Sequence, residues 1–191
     1  MNDSTPASPT TPSPPAIPVV VSRDLFTAGA GNVPKAFLQS LFVAECLRPS
    51  ARLWLVSAWV SDIEVIDNRA RQFGAIDPTW PAERVRLSSV LNTILSQGSE
   101  VVVVTNTSPD NREFIARMAE FVDMHGSRLQ LKRDGNLHEK GLLSDHFMLD
   151  GSMNFTYRGV HINGEHLVYR TDPAAIAERR LVLEARWIGR R

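Results

Sequence analysis

The chain has 191 residues, 43% of them hydrophobic and 22% charged, with Lys plus Arg and Asp plus Glu at 21 each. That length carries one domain with a substantial core, and the composition is that of an ordinary globular protein. Zero formal charge gives no global field for nucleic acid or membrane, but leaves room for a local basic cleft. Cys46 is alone, which excludes an internal disulfide framework and a cysteine-rich zinc site. No run approaches the ~18 apolar residues of a membrane span. The N-terminus lacks a secretory pattern, so the expected location is the cytoplasm.

The first 18 residues, MNDSTPASPTTPSPPAIP, hold six of the 12 prolines and little else that could pack. They predict a disordered or extended tail, leaving 19–191 as the domain. VPKAFLQSLFVAECL places Phe37, Leu38, Leu41 and Cys46 at helical spacing and stops near Pro49, which makes Cys46 a buried structural thiol. RLWLVSAWV predicts a strand ending at Ser61-Asp62. PAERVRLSSVLNTILSQG predicts a helix opening at Pro81 and closing at Gly98, with Leu87, Leu91, Ile94 and Leu95 on one face. EVVVVTN reads as a buried parallel strand, and SPDNREFIARMAEFVDMHG as a further helix ending before Gly126.

The pattern then changes. LQLKR, LHEKGLL, HFMLDGS and EHLVYR are short strand-like pieces between turn residues. TDPAAIAERRLVLEARW closes the chain as a helix, capped by Thr171 or Asp172 with Pro173 in its first turn. Alternating elements followed by a hairpin region define an α/β layered domain with a central mixed sheet flanked by helices. No internal repeat is present.

The chemistry concentrates in NLHEKGLLSDHFMLDGSMNFTYRG, residues 136–159. On a strand, His138 and Lys140 share a face. A tight turn centred on Asp145 would set His138 near Ser152 and Lys140 near Asp150, with Asn154 beyond and Gly151 allowing close backbone approach to a ligand. A one-residue slip would turn every side chain over.

The run His138-x-Lys140-x4-Asp145 followed by Gly151-Ser152-x-Asn154, with Glu165 in NGEH, resembles the signature of the phospholipase D superfamily. His-x-Lys alone is common; six residue types in this order are not. The resemblance covers roughly residues 35–187. Two departures stand out. Five residues separate Asp145 from Gly151, where typical members have six, and His166 stands where Asn is usual.

The resemblance implies a metal-independent phosphodiesterase without a cofactor, in which lysine and hydrogen bonds take the place of a metal. His138 is implied as the nucleophile that forms a phosphohistidine. Lys140 and Asn154 are implied as donors to the non-bridging oxygens, with Ser152 donating or fixing the phosphate. Glu165 would orient the His138 ring, and Asp145 would hold structure through a charged neighbour or the turn. The second histidine that the mechanism needs would come from a homodimer, because the chain carries the motif once.

HEKGLL…GSMNFTYRG, with LWLVSAWVSDIEVIDNRA upstream, further resembles DpdK, the phospholipase D-like component of bacterial clusters that insert 7-deazaguanine bases into DNA and restrict unmodified DNA. The expected substrate is accordingly DNA or another phosphodiester, with defence-complex proteins as further partners and no membrane. The alternatives are a non-catalytic phosphate- or DNA-binding subunit and a lipid phosphodiesterase.

The remaining candidates have plainer readings. His125, His146, His161 and His166 show no metal-ligand spacing. Asp62, Glu64 and Asp67 read as a solvated loop, Trp54 and Trp59 as strand packing, and Arg186, Arg190 and Arg191 as a favourable end to a helix dipole.

Overall fold

The computed structural model describes residues 20–28 and 33–189. The tail expected over 1–18 and the terminal Arg190 and Arg191 lie outside the described residues. The strands are β1 (Ser22–Phe26), β2 (Arg52–Ser57), β3 (Glu64–Asp67), β4 (Arg84–Arg86), β5 (Glu100–Thr105), β6 (Leu129–Arg133), β7 (Lys140–Leu143), β8 (Met148–Gly151) and β9 (His166–Arg170). The helices are α1 (Val33–Leu47), α2 (Leu87–Ser96), α3 (Arg112–Ala119), α4 (Val122–His125), α5 (Tyr157–His161) and α6 (Pro173–Trp187).

Seven strands form one mixed sheet in the order β1-β9-β8-β7-β2-β5-β6. β2, β5 and β6 run parallel, whereas β7, β8, β9 and β1 pair antiparallel. The two-residue period of a strand sorts its side chains between two cores. Leu53, Leu55, Val101, Val103, Leu142 and Leu149 pack with α1, α2 and α3, while Trp54, Val56, Val102, Val104, Leu143 and Met148 pack with Ile176 and Leu183 of α6. Burial on both faces explains why EVVVVT is a continuous apolar run rather than an alternating one. Arg52 ties the layers together, donating to Glu100 at 2.7 Å and to Glu184 of α6 at 2.7 Å.

α1 buries Leu38, Leu41, Phe42 and Cys46, and burial pushes the Cys46 thiol up to about 12. Phe42 is wholly buried, and its truncation to alanine costs about 3–5 kcal/mol by the usual cavity arithmetic. α6 starts as its sequence requires: the Asp172 carboxylate accepts from Ala174 N–H at 3.0 Å, with Pro173 in the first turn.

The structure departs from the sequence reading in several places, the first being β2, which ends at Ser57 rather than at Ser61-Asp62. The helix expected from Pro81 begins only at Leu87, because Arg84–Arg86 pair with β3 as a separate two-stranded ribbon. The cap of α2 comes from far upstream: Asp62 accepts from Ser88 N–H and from Ser88 O–H, both at 2.8 Å. Asp62, Glu64 and Asp67 are therefore a cap and a strand, not a solvated loop. The helix expected over 108–125 is broken between α3 and α4.

A further departure bears on the site. The hairpin closes through Ser144 N–H to the Phe147 carbonyl at 2.9 Å, with Ser144 Oγ accepting from the N–H groups of His146 and Phe147. The turn is thus centred between Asp145 and His146. Gly141 lies opposite Asp150, and by the same ladder Lys140 falls opposite Gly151, one residue away from the expected register.

Candidate active site

The site stands at the end of β7 where that strand begins. The loop leading to it is anchored by Leu137, buried against the α6-side core, and by Asp134, whose carboxylate accepts from Asn136 N–H and from Arg186. His138 follows Leu137 and is exposed. Glu139 turns toward α6, where Arg179 and Arg186 both donate to it. Two arginines on a helix thus grip the residue between His138 and Lys140. An open hollow of about 350 Å³ is lined there by His138, Glu139, Lys140, Asp150, Gly151 and Arg179.

His138 and Lys140 share a face, and Trp59 shows it. The Trp59 ring lies 6.2 Å from the His138 ring at 70°, and the Lys140 ammonium sits 5.9 Å from the Trp59 ring centroid. Lys140 also donates to the His138 carbonyl. Among the described residues neither His138 ring nitrogen makes a hydrogen bond, so both are free for a ligand.

Asn154 is fixed by the same segment. Its side-chain oxygen accepts from Trp59 N–H at 3.2 Å, which turns the amide NH₂ away from that contact and leaves it without a partner among the described residues. The Trp59 segment is itself held by two residues that sequence reasoning did not single out. Ser57 donates to the Trp59 carbonyl at 2.6 Å and accepts from Phe155 N–H at 3.1 Å. Buried Asn111 accepts from Val60 N–H at 2.8 Å and donates to the Ala58 carbonyl at 3.0 Å. Trp54 is core, as expected, whereas Trp59 walls the site.

Ser152 and Glu165 meet across β8 and β9. Ser152 N–H donates to the His166 carbonyl at 2.9 Å, and His166 N–H returns to Ser152 Oγ at 3.1 Å. The Ser152 hydroxyl donates to Glu165, whose other oxygen accepts from the Asn163 amide at 3.1 Å. Glu165 therefore holds Ser152 and Asn163, and receives no hydrogen bond from His138. Thr27, just past β1, accepts from Glu165 N–H at 2.7 Å and completes this mount.

Gly151 has a role other than the one expected. Its φ of 151° is unfavourable for other residues, and a Cβ would stand 2.1 Å from the His166 carbonyl oxygen. The close approach is to β9, not to a ligand. Gly159 is forced in the same way, since a Cβ there would be 2.2 Å from the Asn154 carbonyl.

Asp145 is not brought to the site. It occupies the turn at the opposite end of β7, where it accepts from Ala51 N–H at 2.7 Å and from Arg180 at 2.6 Å. Asp150 faces α6 rather than Lys140: burial pushes its carboxyl above the usual range, and Arg179, with its Nε 3.9 Å away, opposes the shift. His166 pairs with Asp24 at 2.8 Å and stacks on Phe26. Among the described residues no three His, Cys, Asp or Glu side chains are placed to hold a metal ion. No helix among them is long and apolar enough to cross a membrane.

The family described as cardiolipin synthase, PLD-like domain, matches residues 64–187, and the chain belongs to it. Its fold is that of the phospholipase D family member Nuc from Salmonella typhimurium, at 15% identity and a TM-score of 0.59, with 91% of this chain and 97% of that one covered. NucT from Helicobacter pylori is similar at 10% identity and a TM-score of 0.58, covering 87% and 94%. Polyphosphate kinase from Porphyromonas gingivalis carries the fold within a much larger chain, at 13% identity and a TM-score of 0.56, covering 85% and 23%. No curated protein sequence matches the chain.

Proposed function

We propose that the chain is a nuclease-type phosphodiesterase that works through a covalent phosphohistidine on His138. The observation that carries this reading is the convergence of an unengaged imidazole, an ammonium and an unpartnered amide NH₂ around one tryptophan. A neutral His138 nitrogen would attack phosphorus, and the bond to the leaving oxygen would break. Lys140 and the Asn154 NH₂ would stabilise the non-bridging oxygens as charge builds on them. Because the Ser152 hydroxyl donates to Glu165, Ser152 acts on the phosphate through that carboxylate mount rather than as a donor.

The leaving oxygen needs a proton, and water must later be deprotonated to break the P–N bond. We assign both steps to His138 of a second copy in a two-fold dimer. Phe26 and Ile162, 71% and 58% exposed, support this arrangement. They flank Thr27 and Asn163, which are joined by the Thr27 hydroxyl at 3.2 Å, so an apolar edge borders the Glu165 mount. The similarity in fold to Nuc and NucT supports nucleic acid as the substrate. The resemblance of HEKGLL…GSMNFTYRG to DpdK supports a role in restriction of DNA.

Cleavage of labelled single- and double-stranded DNA in excess EDTA, by the wild type and by His138→Ala, tests the reading. Turnover that survives EDTA, falls on dilution and vanishes in the variant supports it. Turnover that persists in His138→Ala contradicts it.

A further inference from the structure

A second hollow, about 640 Å³, opens where the Trp59 segment reaches Ser61. That volume lies within the roughly 300–1,000 Å³ of small-molecule sites. Lys35 of α1, Arg84 and Arg86 of β4, and Tyr157 and His161 of α5 line it. Three acids share the wall, but two are already engaged. Glu64 pairs with Arg84 at 3.1 Å, and both oxygens of Asp62 cap α2 through Ser88. Arg86 donates only to the Asp62 backbone carbonyl at 2.9 Å, and neither it nor Lys35 has an ion pair among the described residues. The formal charges of the lining sum to zero, but with Arg84 spent on Glu64 and the Asp62 carboxylate turned onto Ser88, Lys35 and Arg86 are the cations left without an ion pair.

The aromatic side of the hollow is equally unspent on packing. Tyr157 is 63% exposed, yet its ring lies 4.7 Å from the His161 ring. His161 titrates below the ordinary imidazole value, through burial first and the nearby Lys35 second, which favours its neutral form as a stacking surface. A free phosphate would use the cations and leave this aromatic pair idle. A nucleotide uses both: its phosphate needs cations, and every base offers a π-face.

The hollow and the reaction centre share no lining residue, but the segments that carry them are bonded to each other. Trp59 N–H holds Asn154, and Ser61 N–H donates to the Phe155 carbonyl at 2.9 Å, so the two strips run side by side. Tyr157 follows Asn154 by three positions, at most about 11 Å of extended chain.

We propose that this hollow binds one nucleotide unit of the strand that continues from the scissile phosphodiester, with its phosphate on Lys35 and Arg86 and its base on Tyr157 and His161. The proposal rests on the nucleic-acid reading of the reaction centre, but binding does not require cleavage, so the two can fail separately.

The test is fluorescence anisotropy of a fluorescein-labelled decameric oligo(dA) with the full chain in EDTA, carried in the His138→Ala background and repeated across salt concentrations. Lys35→Gln and Arg86→Gln should each weaken binding at least fivefold and reduce the log–log salt slope by about 0.7 per lost single-strand contact. Tyr157→Ala should weaken binding about tenfold with the slope unchanged. Arg48→Gln, beside Ser50 at the other end of the sheet, should stay within twofold, and thermal melting checks the fold of each variant.

Folded variants at all three positions that bind within twofold of the parent overturn the proposal, as does charge-variant weakening without a change in slope. If the wild type cleaves DNA while affinity ignores these three residues, the hollow is wrong and the reaction centre stands. If they govern binding and no nucleic acid is cleaved, the hollow stands and the reaction centre is wrong. An oligonucleotide that does not bind overturns both.

Discussion

The Ser152 hydroxyl donates to the Glu165 carboxylate across adjacent strands, and the backbone bonds between Ser152 and His166 lock the pair in place. Two motif residues therefore act as one unit. Glu165→Gln and Ser152→Ala should each lower single-turnover phosphodiester cleavage, and the double variant should lose little more than the worse single one. Independent, multiplying losses would show that the two residues contact the substrate separately.

Asn154 divides its labour between its two amide atoms. Asn154→Asp keeps an oxygen to accept from Trp59 N–H, but replaces the free NH₂ with negative charge next to the phosphate. Turnover should fall about 10²–10³-fold or more, the range for removing a transition-state donor, with the melting temperature nearly unchanged. A large loss of stability with preserved turnover would show that Asn154 matters only for the Trp59 segment.

Asp145 should behave in the opposite way. Its carboxylate satisfies Ala51 N–H and pairs with partly exposed Arg180. Asp145→Ala should cost about 1–3 kcal/mol from the unsatisfied backbone group and the lost pair, as read by denaturant unfolding. kcat measured below the melting range should stay within a few-fold. A selective loss of kcat in a stable Asp145→Ala protein would return this residue to the site.

Glu45 gives a pH signature of the fold. It is buried; one oxygen accepts from Ser50 N–H at 2.7 Å and the other has no partner. Burial, only partly opposed by the hydrogen bonds from Ser50, raises its carboxyl above 4.5. A raised folded-state value means that the protonated form is favoured on folding. Its contribution is thus fully present below about 4.5 and is lost as pH rises through the folded value. Glu45→Gln removes that loss. The melting temperature of the variant minus that of the wild type should be largest at pH 7–8 and shrink as pH falls toward 4. A difference that does not vary with pH would show that Glu45 does not titrate across the transition.

Much of the fold was legible because it is local. Helical spacing in VPKAFLQSLFVAECL marks α1, and the run EVVVVT can satisfy both sheet faces only as a buried parallel strand. β1, β3 and α5 were not legible: each is short, and its partners are set by chain far away, as when Ser22 pairs with Arg170. The hairpin register was missed by one residue because Ser144, rather than Asp145, closes the turn. Within the site, the residue types of His138, Lys140, Ser152, Asn154 and Glu165 could be read, whereas their mounts could not. Ser57 reaches Phe155 across 98 positions and Asn111 reaches Val60 across 51, so no local pattern records either contact.

The most direct test of the central claim is to trap the covalent intermediate. A radiolabelled phosphodiester substrate is mixed with the wild type in EDTA, quenched on the millisecond scale, and the protein is digested under alkaline conditions that preserve phosphohistidine. The expected result is label on the peptide carrying His138, absent from His138→Ala. Full turnover with no labelled enzyme at any quench time, or label on another residue, would contradict the account.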